Sequence, residues 1–366
     1  MTQTADSARL RDLTYAVALA IMVGWLLYIG RGILMPVAMG VISAYLLTGA
    51  SDLIGRLPLL NRTPPWLRQM LALCFFAFAL WVLAKLIIAG ASTAAASLPT
   101  YEKNLAAAFA ALADRFGVDG FNDWAALREM TLARVNLQQT LTSVLASTAG
   151  FGSQLFLVIM YAAFILLERG GFAAKMARVM GGTAQAQAPL GMLAEINAQV
   201  GRYLAVKTII NVILALISWG VMIGMGVELA SFWAVLIGVV NYIPYFGALA
   251  AVACPALLHL AQTGSPEYAL LLLILLSVPH VLFGYVFEPR MIGRSVNLSP
   301  LVVVLALAVW GALWGVAGAV LAIPLTSVLM ILLSVFVGGR RLAALMTADG
   351  RVSGVGGAGE RRREDF

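Results

Sequence analysis

Six stretches of the chain, residues 13–29, 33–48, 70–88, 151–167, 208–226 and 268–287, are apolar nearly throughout. About 20 such residues in an α-helix cross the ~30 Å hydrocarbon layer of a bilayer. Inside lipid every backbone N–H and C=O must be paired within the protein, so only helices and closed barrels span. Runs this long, without the alternation of a barrel strand, select helices. Composition agrees: 61% of the 366 residues are hydrophobic and 11% charged, against about 45–50% and 25% in soluble domains. A water-soluble chain of this length could not hide so much apolar surface. The expected fold is all-α, a polytopic integral membrane protein.

The formal charge of +7 would suggest a nucleic-acid partner only if the basic residues clustered on a soluble face. They fall instead in short segments between apolar runs, where the excess of Lys and Arg in cytoplasmic loops explains them. The expected partner is the lipid bilayer, not nucleic acid. Segment 50–68 carries Arg56, Arg62 and Arg68 against Asp52, and 169–207 carries Arg169, Lys175, Arg178, Arg202 and Lys207 against Glu195. Arg340, Arg341, Arg351 and the three arginines at 361–363 crowd the end. Segment 91–150 has Lys103, Arg115, Arg128 and Arg134 against Glu102, Asp114, Asp119, Asp123 and Glu129. The basic segments and both termini should be cytoplasmic and 91–150 external. The first apolar run has the basic flank of a signal peptide but no small-residue cleavage site after it, and is expected to be a retained span.

This gives an organisation in five segments. Residues 1–90 hold the first three spans, and 91–150 is an external amphipathic helical segment with Leu105, Phe109 and Leu112 at helical spacing. Residues 151–207 hold the fourth span and cytoplasmic helices, broken around "GGTAQAQAP"; 208–338 is a transmembrane core; 339–366 is a flexible basic cytoplasmic tail. Cys74 and Cys254 lie within apolar runs and are expected to be small core residues.

Residues 231–261 and 300–337 are too long for one span each. If 231–261 crossed once, Arg290 and Arg294 would land outside. If each region dips in and returns as a hairpin, from opposite faces, every loop charge is satisfied. Residues 231–240 make about 15 Å of helix, half the hydrocarbon thickness. The expected architecture is about six full transmembrane helices plus two broken or re-entrant hairpins. One tilted, broken span in each region is the alternative.

The first long region carries "NYIPYFG" at 241–247. Pro244 has no N–H to donate and disfavours helix at Ile243, so carbonyls are freed at membrane depth, where only protein or a wet cavity can satisfy them. Asn241 can cap a half-helix, Gly247 permits close approach, and Tyr242 and Tyr245 offer hydroxyls. Such breaks are where secondary transporters commonly bind solute; a proline kink held by packing is the plainer reading. The second region, "GALWGVAGAVLAIP", presents Gly311, Gly315 and Gly318 with Pro324 beyond. Those glycines suit simple helix packing, and also a second break mirroring the first.

No phosphate-binding loop occurs: "GRYLAVKT" has Val206 where glycine is required. No HExxH, paired-cysteine or nucleophile-elbow motif appears, so neither an enzyme nor a cofactor or metal is expected. Ionisable residues at membrane depth are the functional candidates. Glu288 could exchange a proton or bind sodium, or form a helix-end ion pair with Arg290 and Arg294. His280, after Pro279, could relay protons or be a buried structural histidine. Lys85 is expected to snorkel to the interface.

"INAQVGRYLAVKTIIN" (196–211), "GVELASFWAVLIGVVNYIPYFGALAA" (226–251) and "EPRMIGRSVNLSPLVVVLALAVWGALWGVAGAVLAIPL" (288–325) closely resemble the autoinducer-2 exporter family of bacterial permeases. "ILMPVAMGVISAYLLTGASDLIGRL" fits its weaker early pattern, so the likeness covers nearly the whole chain apart from the tail and external segment. The resemblance implies a secondary carrier of the bacterial inner membrane and a homo-oligomer, with a pentameric ring as one arrangement. It also implies characteristic residues at Asn241, Pro244, Gly247, Glu288, Pro289, Gly293, Pro300, Gly315, Gly318 and Pro324. Activities associated with the family are export of the quorum-sensing furanone and sodium(lithium)/proton antiport.

Antiport needs an intramembrane carboxylate, for which Glu288 is the one placed candidate. A small polyhydroxylated solute needs amides and hydroxyls, which Asn211, Asn241, Tyr242, Tyr245 and Ser277 could supply. Export of a small polar solute by alternating access is therefore the leading expectation. Antiport is second, and a non-transporting membrane scaffold is the alternative of another class.

Overall fold

The computed structural model describes residues 2–55, 62–116, 137–179, 183–292, 297–336 and 338–350. Its described helices are α1 (Thr2–Ile29), α2 (Arg31–Gly55), α3 (Pro65–Phe116), α4 (Leu137–Val179), α5 (Thr183–Gly224), α6 (Ala230–Val240) and α7 (Phe246–Thr263). There follow α8 (Pro266–Leu282), a π-helical turn (Phe283–Phe287), α9 (Glu288–Ile292), α10 (Pro300–Val335) and α11 (Arg340–Met346). Among the described residues six helices are long and apolar enough to cross a bilayer: Arg31–Asp52, Pro65–Ala110, Ala194–Gly224, Phe246–Thr263, Pro266–Met291 and Pro300–Val335. Thr14–Ile29, Gly152–Glu168 and Ala230–Val240 are shorter apolar helices. The chain is an all-α, multi-pass membrane protein.

Helices continue through two boundaries that polarity suggests. The span expected at 70–88 and the start of the helical segment expected after it are one helix, α3, which begins with Pro65 and tolerates Pro99 inside it. The alanine-rich stretch that follows the apolar run keeps helix propensity high after hydrophobicity falls. Likewise α5 runs in one piece from Thr183 to Gly224, joining the helix expected before the span to the span itself. The break expected around "GGTAQAQAP" (181–189) is corrected from Thr183 on, where α5 is already helical; residues 181 and 182, the basic tail from 351 on, Gly293 and Arg294 lie outside the described residues. Cys74 is exposed on α3 rather than in a core, and Cys254 is half-buried; in lipid, a small apolar side chain loses nothing by facing outward.

Two compact units emerge from the chain's contacts, one of Met1–Ala44, Met160–Ile196 and Asn297–Phe366, the other of Tyr45–Ile159 and Asn197–Val296. In the second, residues 225–229 turn the chain after α5, and Leu229 adopts a left-handed φ of 59° just before α6. The chain then reverses between α6 and α7. Gln262, near the end of α7, closes the stem: its Nε2 donates to the Gly226 carbonyl and its Oε1 accepts from the Glu228 N–H, both at 2.9 Å. Were 226–262 one straight helix, those residues would lie about 54 Å apart. The region is a helical hairpin. Its arms are unequal, 11 and 18 residues, and the longer reaches about 27 Å, more than the half-thickness suggested by 231–240 alone.

Small residues let the hairpin close. Ala230, Ala234 and Ile237 of α6 pack with Ala251 and Val252 of α7 and with Leu272 and Leu276 of α8 in one buried cluster. From α3, Asn104 Nδ2 donates to the carbonyls of Ala261 and Gln262 at 3.0 and 2.6 Å, and the Tyr101 hydroxyl donates to the Glu228 carboxylate. Glu228 sits in the turn, as its polarity suggests, while Glu267 lies in the first turn of α8.

In the first unit, α10 breaks at Gly315, where φ is 63° and ψ −143°. Beyond the break the chain doubles back, and Trp310 Nε1 reaches Thr326 Oγ1 at 3.1 Å, a pair that a straight helix would hold about 24 Å apart. The stem is bound by the Ser299 N–H on the Met346 carbonyl at 2.9 Å and by a bridge between Leu298 and Thr347. Both over-long regions are therefore hairpins, not tilted single spans.

Candidate functional site

The first hairpin's tip is where polar groups gather. Because Pro244 has no N–H, the Val240 carbonyl cannot take its normal helical partner and accepts from Ile243 N–H instead, at 2.9 Å. Phe246 N–H bonds to the Pro244 carbonyl at 2.6 Å around Tyr245, whose φ and ψ are 60° and −56°. That is a γ-turn of the strained, positive-φ kind. Among the described residues no backbone N–H reaches the carbonyls of Asn241 and Tyr242. A Cβ on Gly247 would run into the Val240 carbonyl and come within 2.7 Å of Asn241 Cα, so only glycine fits there.

The buried face of α5 meets this tip. Asn241 Nδ2 donates to Asn211 Oδ1 at 2.9 Å, with the two residues 6% and 2% exposed. Asn211 Nδ2 is buried without a partner. Thr208 Oγ1 spends its proton on the Leu204 carbonyl at 2.6 Å, so the Tyr242 hydroxyl is the donor in its 2.6 Å bond to Thr208. Gly238 lies where α6 approaches α5: a Cβ placed on it would stand 3.4 Å from the Ala215 side chain.

One residue before Thr208, Lys207 is 4% exposed and holds both oxygens of Glu288, at 2.7 and 2.9 Å. Two sequence expectations are corrected here. Lys207 is no loop cation but a buried member of α5, and Glu288 pairs with it rather than with Arg290. The signal that could have revealed this was a lysine four residues before Asn211, which puts both on one helical face. Tyr203, buried on that same face, was not anticipated.

Other expected residues fall elsewhere. Asn241 follows the last residue of α6, but its side chain pairs with Asn211 instead of capping a helix. Tyr245 is exposed, and the Ser277 hydroxyl bonds to the Leu273 carbonyl on an exposed face. His280 is buried, with Nδ1 2.8 Å from the Leu276 carbonyl oxygen. Lys85 is exposed over the Trp81 ring at 5.8 Å. In the second hairpin Gly315 makes the break. Gly318 lies against the Trp310 carbonyl carbon, which a Cβ would meet at 2.7 Å; Pro324 is buried in the returning arm; Gly311 has open space around it.

Helical hairpins in an apolar protein, one of them broken beside buried amides and a buried ion pair, define a membrane protein built like a transporter. A family model, that of AI-2E family transporters, matches residues 15–338, and the chain belongs to that family. Among its relatives is the AI-2 transport protein TqsA of Escherichia coli (strain K12), 35% identical over 211 residues, 57% of this chain and 59% of that protein. YhhT of the same strain is 32% identical over 221 residues, 60% of this chain and 62% of that protein. The chain thus spans about six tenths of the length of these relatives. The family is one of transporters, not enzymes.

Proposed function

We propose that this protein exports a small polar solute across the bacterial inner membrane by alternating access, with its solute site at the tip of the first hairpin. The observation that carries the reading is the Asn211–Asn241 pair. It is buried at a break in the backbone and leaves an amide donor and two carbonyls unspent. Unspent polar groups in an apolar interior are costly unless a guest or water shares them. The break at Gly315 gives the second hairpin the same interrupted construction and makes Gly315, Gly318 and Pro324 part of the moving apparatus. Because TqsA is named for AI-2 transport, autoinducer-2 is the first solute to try. The distribution of Lys and Arg supports cytoplasmic termini, and a homo-oligomeric assembly, a pentamer among the options, belongs to the same reading.

Efflux of autoinducer-2 from proteoliposomes tests it. Asn241→Ala and Pro244→Ala variants that insert and assemble normally should lose most efflux. Unchanged rates would remove the tip from the mechanism.

Sodium(lithium)/proton antiport is the second reading, favoured by the Lys207–Glu288 pair, whose carboxylate is a quarter exposed. It predicts sodium-dependent proton movement in everted vesicles that Glu288→Gln abolishes. The bidentate pairing favours export, since both charges are already satisfied.

A further inference from the structure

We propose that His280, and not Glu288, carries the proton that drives transport, taking it on Nε2; the proposal rests on the carrier reading above. The ring is 6% exposed. Its Nδ1 lies 2.8 Å from the Leu276 carbonyl oxygen, and a carbonyl only accepts, so Nδ1 bears the hydrogen. Nε2 is left with its lone pair, buried and without a partner.

Helix packing sets the level of His280 along the hairpin. Leu276 shares a core cluster with Ala251 and Val252 of α7, and α8 runs antiparallel to α7. One turn beyond Leu276, His280 therefore stands level with Gly247, where α7 begins. The other titratable groups of these elements are placed away from it or engaged. His259 and Cys254 lie further up α7, and Glu267 and Tyr268 begin α8. Tyr285 is exposed, and Glu288 is held by Lys207 of α5, the helix that also carries Tyr203. Three residues after His280 the helix widens into the π turn Phe283–Phe287, a feature frequent at functional sites because it loosens the ladder locally.

Glu288 is poorly suited to the same task. Protonating it strands the buried Lys207 ammonium, whereas protonating His280 uses an empty lone pair. The step is one N–H bond made on Nε2 with a proton from water on one side of the membrane, and the same bond broken to water on the other.

Purified full-length protein in proteoliposomes supplies the test, with autoinducer-2 and sodium as probes. Two modes are read: exchange of labelled probe without a gradient, and accumulation driven by an imposed pH gradient. His280→Gln keeps a donor and an acceptor in place. It should leave exchange near the wild-type rate while cutting gradient-driven accumulation about tenfold or more, the scale of a typical coupling between two ligands. Its accumulation should also lose the pH profile of the wild type. Loss of both modes would mean a structural role, and retention of both would mean no role; either overturns the proposal. Loss of coupling in Glu288→Gln alone would also overturn it. If the wild type moves neither probe in either mode, it is the carrier reading that fails.

Discussion

The indole Nε1 of Trp314 donates to the backbone carbonyl of Leu27 at 3.1 Å, joining the residue before the Gly315 break to a break in another helix. At Gly30 the ladder between α1 and α2 is interrupted. Gly30 N–H still bonds to Leu26, but the Leu27 carbonyl, which Arg31 N–H would normally take, receives the tryptophan. Two interrupted helices thus satisfy each other. Trp314→Phe keeps an aromatic side chain but removes the donor, and should destabilise the protein by about 1–3 kcal/mol, the scale of leaving a part-buried carbonyl unpaired and the smaller ring less well packed. A lowered unfolding midpoint in detergent checks this. An unchanged midpoint would mean that water already serves the carbonyl.

Three glycines that look alike in sequence should behave differently on substitution. Gly315→Ala forces a side chain into backbone angles that glycine almost alone adopts, costing about 1–3 kcal/mol. Gly318→Ala sets a methyl against the Trp310 carbonyl and should impair assembly at least as much. Gly311→Ala meets nothing within 4 Å and should be neutral or stabilise by about 0.5–1 kcal/mol through helix propensity. Thermal unfolding of the three variants, measured side by side, ranks them; equal losses would contradict the described turn.

This contrast marks what could be read from the chain itself. Excess length in 231–261 and 300–337, with loop charge, was enough to expect hairpins, because a bilayer fixes how long a span can be. The Asn241–Pro244–Gly247 break was legible because proline and glycine act on their own backbone. Which of Gly311, Gly315 and Gly318 turns the chain was not, since that depends on dihedral angles reached only when Trp310 packs against the returning arm. Lys207 was hidden for a related reason. It sits at the edge of an apolar run, where a snorkelling cation is ordinary, and its partner Glu288 comes 81 residues later. Spacing along a helix reveals shared faces, not partners brought by another element.

Tyr245 should be replaceable to advantage. Its φ of 60° is strained for any residue with a Cβ, and its side chain is exposed. Tyr245→Gly is expected to raise stability by about 1 kcal/mol, with transport reduced if the strained turn must relax during the cycle. A destabilised variant would show that the tyrosine ring contributes packing worth more than the strain.

The Lys207–Glu288 pair predicts a non-additive cycle. Either Lys207→Met or Glu288→Met strands a buried or partly buried charged partner. Each should cost about 3 kcal/mol, the low end for a broken buried pair because the carboxylate is 24% exposed. The double variant with methionine at both positions should recover most of that loss. Unfolding midpoints of the four proteins give the coupling directly, and additive losses would mean that the two charges are solvated separately.

The hairpin stem offers the sharpest local test. Gln262 holds the turn before α6 with both ends of its amide, donating to the Gly226 carbonyl and accepting from Glu228 N–H. Asn104 of α3 fixes the carbonyls of Ala261 and Gln262 beside it. Gln262→Ala removes these two bonds, and with them the 3.4 Å contact of Gln262 Oε1 with His259 Nδ1, yet leaves the Asn104 contacts intact. The Glu228 amide should then exchange with deuterium far faster, while amides within α7 stay protected, because their bonds belong to the helix. At about 1–1.5 kcal/mol per net hydrogen bond, local opening should become roughly tenfold easier or more. Gln262→Glu should be worse than alanine, since a carboxylate oxygen would face the Gly226 carbonyl where a donor stood. Exchange of a peptide covering 225–229 separates the outcomes: if both variants match the wild type, the stem is closed by α3 and by packing of α6 on α7, and the glutamine is only a bystander.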